Sequence, residues 1–163
     1  MNMSWLQTLL SRELTSFCDE LSLFPDEERV WAIVPGVSNS AGTLALHVCG
    51  NLQHYVGTVL GGTGYVRDRP LEFSARGVPR EILTAELRKT MQVIDAVVPG
   101  LTQSVLSSEY PEAVGGFRFP TGLFLLHLSG HLAHHLGQAG YLRRVLTGEN
   151  RSSGALALGA LAC

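Results

Sequence analysis

The chain has 163 residues, of which 45% are apolar and 16% are charged, and its net charge is -2 at pH 7. This length is typical of one domain, so we expect residues 1–163 to form a single domain. The composition excludes a disordered polyelectrolyte, and the lack of a basic excess argues against nucleic acid as a partner.

The N-terminal residues favour a cytoplasmic protein. Charged residues, among them Arg12 and Asp19, interrupt the first twenty positions, which therefore lack the continuous apolar core of a signal peptide. The cysteines are odd in number, widely spaced and outside any CxxC pair, which is typical of reduced thiols: Cys18, Cys49 and Cys163. The apolar tail at about 150–163 is too short to span a bilayer, so we expect no membrane partner.

Apolar residues at spacings of three and four predict four long helices along the chain. Ser40 fits the N-cap of the second helix, and Gly61-Gly62 fit its end. Pro79 fits the first turn of the third helix. One or two further helical turns are expected after Pro25. The four long helices are predicted at about 3–21, 40–60, 79–98 and 121–147.

The fold class that follows is all-α. Alternating apolar runs and Asn-Gly or Asp-Gly turns, the usual signals of strands and hairpins, do not occur. We expect a four-helix bundle with one short extra helical piece and long linkers at 61–77 and 101–119, which cross the bundle ends or shape a pocket mouth. The tail is expected to pack on the bundle or on a second subunit, or to be a poorly ordered end.

Four of the six histidines lie between positions 127 and 135, on the fourth predicted helix. His131 and His135 are one helical turn apart and point the same way, so they can bind one metal ion. On the helical wheel His135 lies in the apolar stripe and His131 at its edge, whereas His127 and His134 lie to one side, facing solvent or a pocket rim. The alternative is that the pair are core histidines bonded to backbone groups or to each other.

A metal site needs a third ligand, which the second helix offers as His47 or His54. These two are seven residues apart on one helical face, and helix geometry does not choose between them. A zinc peptidase is excluded because Leu132 lies where the HExxH motif requires another residue, its glutamate base. Three histidines from two helices would leave a coordination position open for water or substrate, as in catalytic sites.

These residues resemble those of the DinB/YfiT-like metalloenzyme family, four-helix bundles with a metal site of three histidines. The matching segments are Leu46-His47 in the second helix and His131-Leu-Ala-His134-His135-Leu-Gly137-Gln138 in the fourth, which Leu142-Arg143 follow. Leu136 stands where the family often has arginine. The resemblance implies that the metal ligands are His47, His131 and His135.

The resemblance also implies a function. Characterised members of the family include metal-dependent thiol S-transferases and a mycothiol-dependent isomerase. It therefore implies a divalent ion, zinc or nickel, a small-molecule substrate such as a low-molecular-weight thiol, and a homodimer. Our hypothesis is a metal-dependent transferase, isomerase or hydrolase acting on a small molecule. The alternatives are a non-catalytic, metal-binding or stress-related dimeric bundle, and a plain bundle with structural histidines.

Overall fold

The computed structural model of the chain describes residues 2–161, among which no β-strand occurs. This confirms the all-α prediction; Cys163 lies outside the described residues. A π-helical segment, Gln53–Thr58, joins α3 to α4, and 3-10 turns lie at Val98–Gly100 and Leu158–Leu161. The α-helices are α1 (Met3–Ser22), α2 (Glu27–Trp31), α3 (Ala41–Leu52), α4 (Val59–Gly61), α5 (Arg69–Ser74), α6 (Arg80–Val97), α7 (Gln103–Ser107) and α8 (Thr121–Thr147).

Local sequence signals set the helix ends. The Ser40 hydroxyl accepts a hydrogen bond from the Thr43 backbone N–H (3.1 Å), as the cap prediction requires. Gly62 and Gly148 end α4 and α8 with positive φ angles of 65° and 71°, which glycine adopts without steric cost. Pro79 lies one residue before α6, not in its first turn, because its backbone is extended (ψ 141°).

The core lies between the four long helical segments. The first, α1, packs against α6 and α8, and α3 packs against the same two helices. The ring of Tyr55 lies 5.1 Å from that of Phe124, and His47 meets His131, so the α3 segment and α8 run antiparallel. The fully buried side chains of this core include Leu10, Leu14, Phe17, Leu21, Val48, Leu87, Ile94, Leu125 and Leu132.

Each long linker contains a short helix that the apolar periodicity did not predict. These are α5, between positions 61 and 77, and α7, between 101 and 119. The Asp68 carboxylate caps α5 by accepting a hydrogen bond from the Leu71 N–H (2.9 Å), and α5 packs against α3. A helix of six residues is too short to show a periodic stripe, and its stability comes from this packing.

The π-helical segment corrects the prediction of a regular helix from Ser40 to Leu60. A π-turn carries i→i+5 hydrogen bonds, so the residues after Leu52 leave the register of α3. Tertiary contacts accompany the segment: the Tyr110 hydroxyl donates to the Tyr55 carbonyl (2.7 Å). His54 lies within this segment, beyond the end of α3.

The C-terminal segment returns along the bundle. Arg143 is fully buried, and its guanidinium donates to the Glu20 carboxylate and to the Arg151 carbonyl. The turn Leu158–Leu161 lies beside α1. Residues 154–161 of the tail nevertheless remain exposed to solvent. No helix within residues 2–161 combines the length and the apolar character needed to cross a membrane.

Candidate metal centre

Three imidazoles meet between α3 and α8. The Nε2 atom of His131 lies 3.2 Å from Nε2 of His47 and 3.1 Å from Nε2 of His135. Tetrahedral zinc with Zn–N bonds of about 2.0–2.1 Å holds its nitrogens about 3.3 Å apart. The three residues predicted as ligands therefore lie together at a spacing that fits one ion.

The helices explain which histidines meet. His131 and His135 project from successive turns of α8, and His47 comes from the antiparallel α3. His54, the other candidate for the third ligand, bonds the Glu112 carboxylate through Nε2 (2.9 Å) and is not in the cluster. His134 is exposed, as the helical wheel predicted. Because α3 and α8 are antiparallel, the segment that carries His54 lies opposite Phe124 and not opposite His131, which decides the choice that helix geometry left open.

The outer nitrogens of two rings are held by hydrogen bonds. The Nδ1–H of His47 donates to Glu72 Oε2 (2.9 Å), and the Nδ1–H of His135 donates to Gln138 Oε1 (2.7 Å). Each bond places the proton of a neutral ring on Nδ1, so that Nε2 keeps its lone pair. Gln138, whose role the sequence left open, therefore orients the site.

This donor set fits a metal ion. The Nε2 lone pairs of His47 and His135 both face Nε2 of His131, which carries at most one proton when its ring is neutral. One proton does not satisfy both acceptors in good geometry. A cation at the point of convergence would accept the lone pairs of all three rings, so the arrangement favours a ligand cluster over structural core histidines.

The environment keeps the α8 pair neutral. Burial, followed by the proximity of His135 and His47, lowers the pKa of His131 to about 3. Burial also lowers the pKa of His135, although the hydrogen bond with Gln138 opposes this. Neutral imidazole is the form that binds metals, so neither ring must lose a proton near pH 7 to act as a ligand.

Glu72 is the centre of a buried ion-pair network. Arg67 donates to its two carboxylate oxygens, from Nε at 2.6 Å and from the terminal nitrogen at 2.8 Å. Burial would raise the pKa of Glu72, but the hydrogen bonds from Arg67 and His47 outweigh it, and the pKa is lowered. The charges of Arg67 and Glu72 cancel, and imidazole binds a metal ion as a neutral ligand, so a divalent ion here would favour an anionic ligand.

Gly50 makes room for this carboxylate. A Cβ atom at position 50 would lie 2.1 Å from Glu72 Oε1. Sequence reasoning missed Gly50, Arg67 and Glu72. The signal available was Asp68 followed by Pro70, a cap and an early-turn proline that together predict a short helix carrying Glu72.

One buried polar group beside the cluster is unpaired. Asn51 follows His47 by one helical turn and is only 7% exposed. Its Oδ1 atom has no hydrogen-bond partner among the described residues. Cys49 is also buried, which raises the pKa of its thiol to about 12, and it lies outside the cluster, as predicted.

The family comparison agrees with this geometry. The family model described as the DinB superfamily matches residues 9–139. That range includes His47, His131 and His135 as well as Glu72 and Gln138. No curated protein and no solved structure matches the chain.

Proposed function

The chain belongs to the DinB superfamily, and we propose that it is a metal-dependent enzyme in which His47, His131 and His135 bind one divalent ion, zinc or nickel. The observation that carries the proposal is the convergence of three Nε2 atoms, two of them with lone pairs directed by Glu72 and Gln138. The proposed substrates are a low-molecular-weight thiol and a small electrophile.

The bound ion, the three imidazoles and the Arg67–Glu72 pair would have different roles in this reaction. A bound ion would supply the Lewis acidity that lowers the pKa of a thiol or of water. His47, His131 and His135 would hold the ion with three imidazole nitrogens, one ligand fewer than tetrahedral zinc takes. The Arg67–Glu72 pair holds the His47 ring and adds no net charge, which favours a thiolate or hydroxide over a neutral ligand.

The proposed reaction is a nucleophilic substitution at carbon. The thiol S–H bond loses its proton to solvent, and the sulfur uses the remaining electron pair to form a bond to an electrophilic carbon. The bond from that carbon to its leaving group breaks, and the leaving group departs with the bonding electrons. Net, a thiol and an electrophile give a thioether and an acid.

Metal analysis tests the site. We expect one zinc or nickel ion per chain after reconstitution of the protein, and a loss of binding in His47→Ala and His131→Ala. His134→Ala, an exposed histidine on the same helix, is the matched control and should bind as the wild type does. Equal, negligible metal in all four proteins would contradict the proposal.

Turnover separates an enzyme from a metal-binding protein. We expect the reconstituted protein to accelerate the conjugation of 1-chloro-2,4-dinitrobenzene with at least one small thiol, and His131→Ala to lose this activity. Stoichiometric metal without turnover on several thiols would instead favour the non-catalytic metal-binding bundle.

We extend the proposal to a cytoplasmic homodimer. Leu123 and Leu126 are exposed on α8, at 60% and 52%, and a second copy would remove such apolar side chains from water. Sedimentation velocity measures the assembly directly. A monomer at micromolar concentration would contradict this part of the proposal and leave the metal centre unaffected.

A further inference from the structure

A cavity of about 310 Å³ lies beside the metal centre, between the segment that precedes α3 and the C-terminal half of α8. Its volume is at the lower end of the range for small-molecule sites, which suits a molecule of about one ring. Apolar side chains make up most of its wall: Val34, Val37, Leu44, Tyr141, Leu142 and Val145.

The cavity shares a wall with the candidate metal centre. Gln138 lines the cavity, and its Oε1 atom accepts the hydrogen bond from Nδ1 of His135. Leu44 lines it from the other side and precedes His47 by about one helical turn. The cavity thus lies one turn beyond the three imidazoles along both helices that hold them.

The chemistry of the wall defines the ligand. None of the described lining residues carries a charge, whereas the opposite side of His47 faces Arg67 and Glu72. Ser38 and Asn39 add a hydroxyl and an amide that can bond a polar substituent. An anion would lose hydration here without gaining a cationic partner, so the wall favours a neutral molecule.

We propose that this cavity binds a neutral, largely apolar molecule with one or two hydrogen-bonding substituents, which is the electrophilic partner of the proposed transfer. The role of this ligand as the electrophile rests on the proposed function. Its binding rests on the cavity alone. The two substrates are thus separated: the anionic one lies at the ion and the neutral one beside it.

The test uses two probes that differ in one charge. 1,3-Dinitrobenzene is neutral and lacks a leaving group, and 3,5-dinitrobenzoate adds a carboxylate to the same ring. Methyl NMR of the metal-free protein, which offers the carboxylate no ion to bind, should show 1,3-dinitrobenzene shifting the signals of Val34, Leu44 and Leu142. We expect the carboxylate probe to bind about tenfold more weakly or worse.

Two variants locate the binding. Val145→Asp places a charge at the cavity rim, where the side chain is 65% exposed, and should weaken 1,3-dinitrobenzene binding by about tenfold. Ile82→Asp, on α6 and outside the cavity lining, changes an apolar side chain that is 48% exposed; it is the matched control and should not change the binding. In the loaded enzyme, 1,3-dinitrobenzene should compete with the electrophile.

A metal-free variant separates this inference from the proposed function. His47→Ala/His131→Ala removes two imidazoles and keeps His135 and Gln138, so 1,3-dinitrobenzene should still shift the cavity methyl signals. Unchanged methyl signals at the solubility limit of the probe, or equal affinity for both probes, would overturn the inference. The inference would also be overturned if a second copy of the chain occupied the cavity. Val145→Asp would then break the dimer and sediment more slowly than the wild type.

Discussion

Two imidazoles of the metal centre are oriented by different means. The ring of His47 bonds a buried carboxylate that comes from another helix, 25 positions along the chain, and that is itself paired with Arg67. The ring of His135 bonds a neutral, exposed amide three positions away on the same helix. The first contact depends on the tertiary fold and the second on helix geometry alone. Mutations that remove the first should therefore lower stability and zinc affinity more than mutations that remove the second.

The largest effect is expected on the His47 side. Arg67→Ala leaves the Glu72 carboxylate buried without its cationic partner, which should lower the free energy of unfolding by about 3 kcal/mol. Urea unfolding of the metal-free protein measures this loss. Arg67→Ala/Glu72→Ala removes both charges and should recover part of the stability; a double variant as unstable as the sum of the two single ones would contradict the pairing.

The next largest effect is expected when a single methyl group is added to α3 beside Glu72, which tests how His47 is oriented. Gly50→Ala places a Cβ atom against Glu72 Oε1 and should move the carboxylate away from His47. Loss of such a supporting contact should weaken zinc affinity by about 10- to 100-fold, as measured by competition with a chromophoric chelator. Gly130→Ala on α8 meets no atom within 4 Å and serves as the control. Equal zinc affinities in Gly50→Ala and Gly130→Ala would show that Glu72 does not support the metal centre.

Asn51 is a third case, because its buried Oδ1 atom has no hydrogen-bond partner among the described residues, either on its own helix or on another. Asn51→Leu removes the unpaired acceptor and should raise the free energy of unfolding of the metal-free protein by about 1 kcal/mol. Asn51→Ala, which opens a small void instead, should not stabilise it. Thermal unfolding of both variants is the measurement, and a lower melting temperature for Asn51→Leu would show that Oδ1 is paired in solution.

The smallest effect is expected on the His135 side. Gln138→Ala removes an exposed side chain, so stability should change by less than about 0.5 kcal/mol. Zinc affinity should fall by less than in Gly50→Ala, because water can replace the amide as acceptor for the Nδ1 proton. A larger loss of affinity in Gln138→Ala than in Gly50→Ala would reverse the comparison between the two sides.

The sequence was most informative where a single helix carries the signal. The apolar periodicity and the caps predicted the bounds of α1, α6 and α8 to within a few residues. Helix geometry also placed His131 and His135 together on one side of α8, with His127 and His134 exposed. These features depend on spacings of three and four residues, which are fixed by the 3.6-residue turn of an α-helix.

The tertiary structure decided what lies between helices. The selection of His47 over His54 followed from the antiparallel alignment of α3 with α8, which no short-range pattern specifies. The contact of Glu72 with His47 depends on the position of α5, which packs against α3. The cavity beside Gln138 is likewise formed by segments distant in sequence. A periodic pattern fixes which residues share one face of a helix, whereas packing fixes which faces meet, because most stability of a helix in a protein comes from its tertiary contacts.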